Sequence, residues 1–242
     1  MIFTLPVHTR VEDFDQRGLL APPALLSIFE NTASRHAELV GYSVMKESLC
    51  CGMAWVVTNW RIQVLRAPSY EENFSASTWL RNGPRQATRE MLLKSESGEL
   101  LARGQAKLCM VDRSTSTPQL PSPERMAAYQ PEDAAAFPDR LPRLRPPTSY
   151  TDEQPVLLRR SDMDYNDHLH NTAYLNLALD AAPQEILSQG VRSIRISYRS
   201  PLRRGDPLVL KSTRQDGGWL VSFVRENEVC AVVALNEQLK PL

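Results

Sequence analysis

Ten consecutive residues hold the densest polar cluster of the chain: Asp162-Met163-Asp164-Tyr165-Asn166-Asp167-His168-Leu169-His170-Asn171. Two of the four histidines stand here beside carboxylates and two amides. Imidazole is the usual proton-transfer group near neutral pH, and a carboxylate beside it can orient it or activate water. The run lies between a predicted strand and a predicted helix. A helix start carries unpaired N–H groups and partial positive charge, so the N–H groups near Leu169, His170 and Asn171 suit an oxyanion. The same residue types also do ordinary structural work. Asp162 and Asp164 are good turn or cap residues, and Asn166 and Asn171 suit local turns. His168 and His170 alternate, so in an extended loop they point to opposite sides and at most one faces a shared site.

Other chemistries find less support. There is no HExxH, and no nearby cysteine completes a zinc set, so no metal site is expected. The GxSxG elbow, the GxxxxGK[ST] phosphate loop and GxGxxG are absent. Chemistry therefore rests on an activated water rather than a seryl nucleophile, and no cofactor is expected. Cys109 and Cys230 sit in apolar runs and read as core residues. Cys50 and Cys51 are adjacent, which is poor geometry for a bridge, and reduced thiols in a cytoplasm are the simplest reading.

The elements that position the cluster occur twice. Each half reads strand, Asp-x-Asp loop, helix, then several strands. In the first half, Asp13-Phe14-Asp15 precedes a helix with Pro22-Pro23 in its first turn. Leu25, Leu26, Phe29, Ala33 and His36 mark one helical face, and Gly41 stops it. In the second, the strand PVLLRR leads to Asp162-Met163-Asp164. A helix with Leu169, Ala173, Leu177 and Ala181 spaced by four follows, ended by Pro183 and Gly190. Asp15 to Pro68 spans 53 positions and Asp164 to Pro201 spans 37, so the first half carries about sixteen extra residues, near 42–54. Nine of the eighteen prolines fall between Pro118 and Pro155, which excludes a long helix or a central strand there. The expected organisation is a first domain over 1–117, a proline-rich linker over 118–153 and a second domain over 154–242. One helix followed by an antiparallel meander, written twice, is an α+β architecture.

Composition narrows the partners. The 242 residues carry 28 Lys+Arg against 28 Asp+Glu. Zero net charge argues against nucleic acid, and no apolar run approaches the about 20 residues of a membrane span. The N-terminus, MIFTLPVHTR, alternates like a strand and does not read as a targeting peptide. The charge is uneven, however. From Arg140 to Arg204 there are ten Arg, no Lys and seven acidic residues.

The segment from Arg160 to Leu175, RSDMDYNDHLHNTAYL, resembles the D-x-N-x-H-V-N-N…Y motif of the acyl-acyl-carrier-protein thioesterases, plant and bacterial enzymes that release fatty acids from acyl carrier protein. The likeness extends to Ala182-Pro183-Gln184-Glu185-Ile186 and Ile196-Ser197-Tyr198-Arg199. In the first half it includes Asp15 with Gly18, the Glu30…Ala33…His36 helix, Gly41, Trp55…Trp60-Arg61-Ile62, Thr78-Trp79 and Val111-Asp112-Arg113. The resemblance implies a double hotdog, two tandem antiparallel sheets each wrapped around a long central helix. It places Asp164, Asn166 and His168 on the catalytic Asp, Asn and His. His170 stands where the first Asn of H-V-N-N is usual, and Asn171 matches the second.

One departure bears on mechanism. The family's strand runs tyrosine, two residues, a catalytic Glu and often Cys; counted from Tyr198, Pro201 replaces Glu and Leu202 replaces Cys. Proline offers no carboxylate and no N–H, so His168 or Asp164 becomes the base. The resemblance further implies fatty acyl-phosphopantetheine on an acyl carrier protein as substrate and partner. Such carriers are acidic, and Arg199, Arg203 and Arg204 would form a basic rim for them, or else a solvated sheet edge. The first half, with no His or Asn in its loop, reads as structural or acyl-binding. Acyl-CoA hydrolysis, a catalytically weakened acyl-binding protein and a dehydratase are the competing functions, and the H-F-P-G element of dehydratases is absent. A tandem chain can complete its own sheet, so a monomer or a homodimer is expected.

Overall fold

The computed structural model describes residues 1–81, 87–141 and 143–237. Pro142 of the expected linker and residues 238–242 of the expected second domain lie outside the described residues. The chain forms two compact units. The first takes residues 1–60 and 64–140, the second residues 61–63 and the chain from Leu141 onward. Among the described residues no helix is long and apolar enough to cross a membrane.

The first unit contains β1 (Phe3–Pro6), α1 (Pro22–Leu39), α2 (Val44–Cys50), β2 (Met53–Val64, apart from residues 61–63), β3 (Phe74–Arg81), β4 (Ala87–Ser95), β5 (Leu100–Asp112), β6 (Pro118–Gln119) and α3 (Pro123–Ala128). Its strands run in the order β1-β3-β4-β5-β2, with β6 beside β5. The β1–β3, β3–β4, β4–β5 and β5–β6 pairs are antiparallel. Pro22 and Pro23 open α1, where a missing N–H costs nothing. Leu25, Leu26, Phe29 and His36 are buried on one face. The Phe29 ring lies over Gly104 of β5, where a Cβ would come within 2.8 Å of it. Glycine at 104 therefore lets the helix seat on the sheet, and burying Phe29 stabilises by roughly 1.5–3 kcal/mol. The α2 helix falls where the repeat arithmetic placed the extra residues.

Residues 118–140 of the proline-rich stretch belong to the first unit, where they carry β6 and α3 and then run beside β3 and β4. Glu132 donates its amide to the Leu80 carbonyl at 2.9 Å. The Trp79 indole N–H donates to the Ala134 carbonyl at 2.8 Å, and the Ala136 amide donates to Glu90 Oε2 at 3.1 Å. Tyr129 and Phe137 are buried.

The second unit contains β7 (Asp152–Val156), α4 (Asn171–Asp180), α5 (Gln184–Ser188), β8 (Ser193–Tyr198), β9 (Leu208–Gln215), β10 (Gly218–Arg225) and β11 (Glu228–Leu235). Its order is β8-β11-β10-β9-β7, with each pair antiparallel. Two expectations shift. The strand predicted at PVLLRR lies earlier, at Asp152–Val156, and Arg160–Asp162 form a 3₁₀ turn. The helix begins at Asn171, so Leu169 precedes it, and the buried residues are Ala173, Tyr174, Leu175 and Ala178, with Leu177 only half-buried. The Tyr174 ring meets Tyr198 and Phe223 with centroids 5.1 and 5.0 Å away. Leu144, Leu220, Val232 and Ala234 form a further apolar cluster.

The two units share detail below the level of element order. A register shift interrupts β4–β5 at Leu93/Lys94, just before the hairpin, and β10–β11 at Phe223/Val224, in the same place. Both are antiparallel meanders with a helix in the connection after the Asp-x-Asp loop.

His36 is fully buried in the first unit, stacked on Phe3 and edge-on to Tyr129, with Nδ1 3.2 Å from Arg89 Nη1. Burial, then the Arg89 charge, pushes its pKa down to about 4. The unfolded chain takes up this proton first as pH falls from about 6.5, so His36 stabilises the fold above that pH and its contribution is lost towards pH 4. Urea unfolding at stepped pH is expected to show stability falling across this window by up to about 1.4 kcal/mol per pH unit from this group. The His36→Phe variant is expected to flatten that part of the curve.

Candidate active site

The polar cluster folds as one closed loop. The Asp164 amide donates to the His168 carbonyl at 2.7 Å, and the Asp167 amide returns to the Asp164 carbonyl at 3.0 Å. Asp164 Oδ1 accepts the amides of Asn166 at 2.7 Å and His168 at 3.1 Å. Asp167 turns the chain with φ of 59°, a left-handed conformation that Asp and Asn tolerate better than most residues. Met163 and Leu169 then pair across the base of the loop. One carboxylate oxygen thus fixes the backbone of Asn166 and His168, and the three residues expected to be catalytic share a single turn. All three are half-buried.

The first unit builds the same loop without the histidines and the asparagine. Asp15 Oδ1 accepts the amides of Arg17 at 2.9 Å and Leu19 at 3.1 Å. Asp15 donates to the Leu19 carbonyl, Gly18 returns to the Asp15 carbonyl, and Phe14 pairs with Leu20. Gly18, with φ of 70°, takes the place of Asp167. Arg17, Leu19 and Ala21 therefore stand where the second unit has Asn166, His168 and His170. Burial pushes the Asp15 carboxyl up, but the Arg17 guanidinium and the amides outweigh it and hold the group below its usual range.

Asp162 does purely structural work. Its Oδ2 accepts the Arg159 amide at 2.7 Å and its carbonyl accepts the His170 amide at 2.8 Å. This corrects part of the expected oxyanion site. The Leu169 amide is likewise committed, to the Leu202 carbonyl at 2.7 Å. Each amide has one proton, and both precede the helix, so neither is open to a substrate oxygen. Asn171 opens α4 as its first residue.

His170 is the N-cap of α4. Its Nδ1 accepts the Thr172 amide at 3.3 Å and lies 2.6 Å from Thr172 Oγ1. Burial pushes its pKa down, while the Asp164 carboxylate pulls it back up, so Asp164 acts electrostatically on this second histidine as well. The Tyr174 hydroxyl has its pKa raised chiefly by burial, while a hydrogen bond from the Leu202 amide works the other way. Pro201 is exposed, and so are Arg199, Arg203 and Arg204. The four cysteines are free thiols; burial pushes Cys109 and Cys230 up, away from thiolate character.

Comparison with known proteins fits this geometry. Residues 2–129 match the acyl-ACP thioesterase N-terminal domain and residues 147–232 the acyl-ACP thioesterase C-terminal domain. The chain belongs to the acyl-ACP thioesterase family. Oleoyl-acyl carrier protein thioesterase 2, chloroplastic, of Arabidopsis thaliana is 25% identical over 217 residues, covering 82% of this chain and 59% of that protein. Palmitoyl-acyl carrier protein thioesterase, chloroplastic, of Cuphea hookeriana is 25% identical over 189 residues, covering 72% and 46%. The chain thus spans less than two thirds of these relatives' length. The 12:0-ACP thioesterase of Umbellularia californica superposes with a TM-score of 0.83 at 18% identity, covering 97% of this chain and 96% of that one. An acyl-ACP thioesterase of Bacteroides thetaiotaomicron gives 0.83 at 20%, with the same coverage. These likenesses establish the double hotdog fold.

Asp164→Asn keeps the acceptor that holds the loop and removes the charge. It is expected to leave the protein folded and to lower the His170 pKa further, because the carboxylate that raises it is gone. An NMR titration of the imidazole carbon-bound protons checks the sign; an unchanged or raised value refutes the coupling.

Proposed function

We propose that the protein hydrolyses the thioester of fatty acyl-acyl carrier protein, releasing free fatty acid and ending chain elongation. The observation that carries this reading is the single turn on which Asp164 binds the amides of both Asn166 and His168, in a chain of this family. Water attacks the thioester carbonyl carbon as His168 or Asp164 takes its proton. Asn166 positions the carbonyl oxygen. Collapse of the tetrahedral intermediate breaks the C–S bond, and the proton returns to the phosphopantetheine sulfur as the thiol leaves. The carrier protein docks by charge on Arg199, Arg203 and Arg204, whose exposure supports that role. The four free thiols suit a reducing compartment such as the cytoplasm.

The division of labour follows the repeat. Residues 1–117 form the structural or acyl-binding domain, 118–153 the connecting strap and 154–242 the domain that carries the chemistry. Arg17, Leu19 and Ala21 in the first loop offer no base, which supports that assignment. Pro201 supports a second reading, a catalytically weakened acyl-binding protein, because the position of the family Glu has no carboxylate.

Matched acyl-carrier-protein and acyl-CoA substrates, with release of free thiol as the readout, separate the possibilities. Release from the carrier protein is expected. Release from CoA alone assigns the other carrier, and tight acyl binding without release assigns the binder. Asp164→Ala, Asn166→Ala and His168→Ala are each expected to lower hydrolysis by about 10²-fold or more; wild-type rates in all three would overturn the site. Pro201→Glu is expected to raise the rate, and no rise means that the missing carboxylate is not limiting.

A further inference from the structure

The segment after β8 carries no catalytic carboxylate, yet it is tied down heavily. The Arg225 guanidinium, at the end of β10, reaches three acceptors. Nη1 donates to the Pro201 carbonyl at 3.2 Å and to Asp206 Oδ2 at 3.1 Å, and Nη2 donates to Glu228 Oε2 at 2.7 Å. The Ser200 hydroxyl bonds Glu228, and Asp206 Oδ2 also accepts the Arg203 amide at 2.9 Å. Residues 200–206 are therefore closed on Arg225 from both ends. Between those ends lies Leu202, fully buried, whose carbonyl accepts the Leu169 amide at 2.7 Å and whose own amide bonds the Tyr174 hydroxyl. Leu169 directly follows His168.

The first unit contains a matched clamp. Arg66 bonds Glu72 at 2.7 and 2.8 Å and Glu99 at 2.6 and 3.0 Å. Glu72 and Asp206 each lie two residues before the following strand, β3 or β9, and Glu99 and Glu228 each stand at the hairpin that starts β5 or β11. The Leu20 amide donates to the Pro68 carbonyl at 2.9 Å, as Leu169 does to Leu202. The acids keep their places, whereas the guanidinium comes from the loop after β2 in one unit and from β10 in the other. Only in the second unit does the clamped segment hold the residue next to a histidine of the proposed site.

We infer that Arg225 is a positioning residue for hydrolysis, fixing His168 through the chain Pro201–Leu202–Leu169. This rests on the proposed hydrolase reading. The guanidinium takes no part in proton transfer; it holds the 200–206 segment so that the Leu202 carbonyl keeps the Leu169 amide, and with it the His168 backbone, in register. Arg66 holds an equivalent segment beside Leu19, where no chemistry is proposed, and so serves as an internal control for a purely structural clamp.

The test compares Arg225→Met, Arg225→Lys and Arg66→Met by steady-state kinetics on acyl-carrier-protein substrate and by amide hydrogen exchange. Arg225→Met is expected to lower kcat about tenfold with KM within about twofold, and to speed exchange of the Leu169 amide about tenfold. Arg225→Lys, which keeps a cation for one carboxylate, is expected to recover part of kcat. Arg66→Met is expected to leave kcat and Leu169 exchange within about twofold of wild type. A wild-type kcat in Arg225→Met, a loss confined to KM, or an equal kcat loss in Arg66→Met overturns the inference. Asp206→Asn, which removes one partner and leaves the arginine, gives the same readouts if Arg225→Met does not fold. Wild-type protein that releases no thiol from any acyl thioester refutes the hydrolase reading instead, and the exchange comparison then decides the clamp alone.

Discussion

One carboxylate oxygen sets the geometry of the candidate site. Asp164 Oδ1 accepts two amides two and four residues ahead, which closes the turn, fixes the backbone of Asn166 and His168, and delivers the chain to the N-cap of α4. Charge-assisted bonds of this kind are stronger than neutral ones, and a buried amide left unpaired costs about 1–3 kcal/mol. The remainder of the site is downstream of that closure. His170 can cap α4 because its own amide is held by the Asp162 carbonyl, and Leu169 can reach Leu202 because the turn has brought it back beside Met163.

The same closure at Asp15 shows that the loop is first a device of the fold. Asp15 makes the two amide bonds and the return bond that Asp164 makes, and it adds an exposed pair with Arg17 at 2.7 Å. A loop that both units need for packing can carry chemistry wherever its outward side chains permit. Positions 17, 19 and 21 carry Arg, Leu and Ala; positions 166, 168 and 170 carry Asn, His and His. The backbone is shared, and the difference between the two loops lies in three outward side chains.

This also explains what was legible in the sequence. The strands of both meanders and α1 follow from local alternation, turn residues and a proline start, which are short-range signals. The polar cluster from Asp162 to Asn171 stood out by residue type, and the resemblance to the family then singled out Asp164, Asn166 and His168 within it. That Asp164 would be the turn former as well as a candidate base was not separable, because both roles need the same carboxylate at the same place. The start of α4 was misread because Leu169 fits the four-residue spacing, yet His170 caps the helix after it and Leu169 spends its amide on a long-range partner. That commitment joins residues 33 positions apart and the Arg225 clamp reaches back 24 to Pro201 and 19 to Asp206, and no local pattern records such contacts.

Pro201 then has a physical place in the structure. A proline gives up the carboxylate and the N–H at this position, but its carbonyl remains, and Arg225 uses it. The counterpart segment in the first unit holds its proline one place later: Pro68 stands where the second unit has Leu202, and its carbonyl takes the Leu20 amide. In both units the connection out of the strand is a proline-containing turn clamped by a guanidinium and two acids, with one carbonyl, Pro68 or Leu202, spent on the loop. At Pro201, whose counterpart in the first unit is Ala67, neither unit carries an acid. The candidate proton-transfer groups lie on the Asp164 loop, and the segment from 200 to 206 meets that loop through the bond between the Leu169 amide and the Leu202 carbonyl.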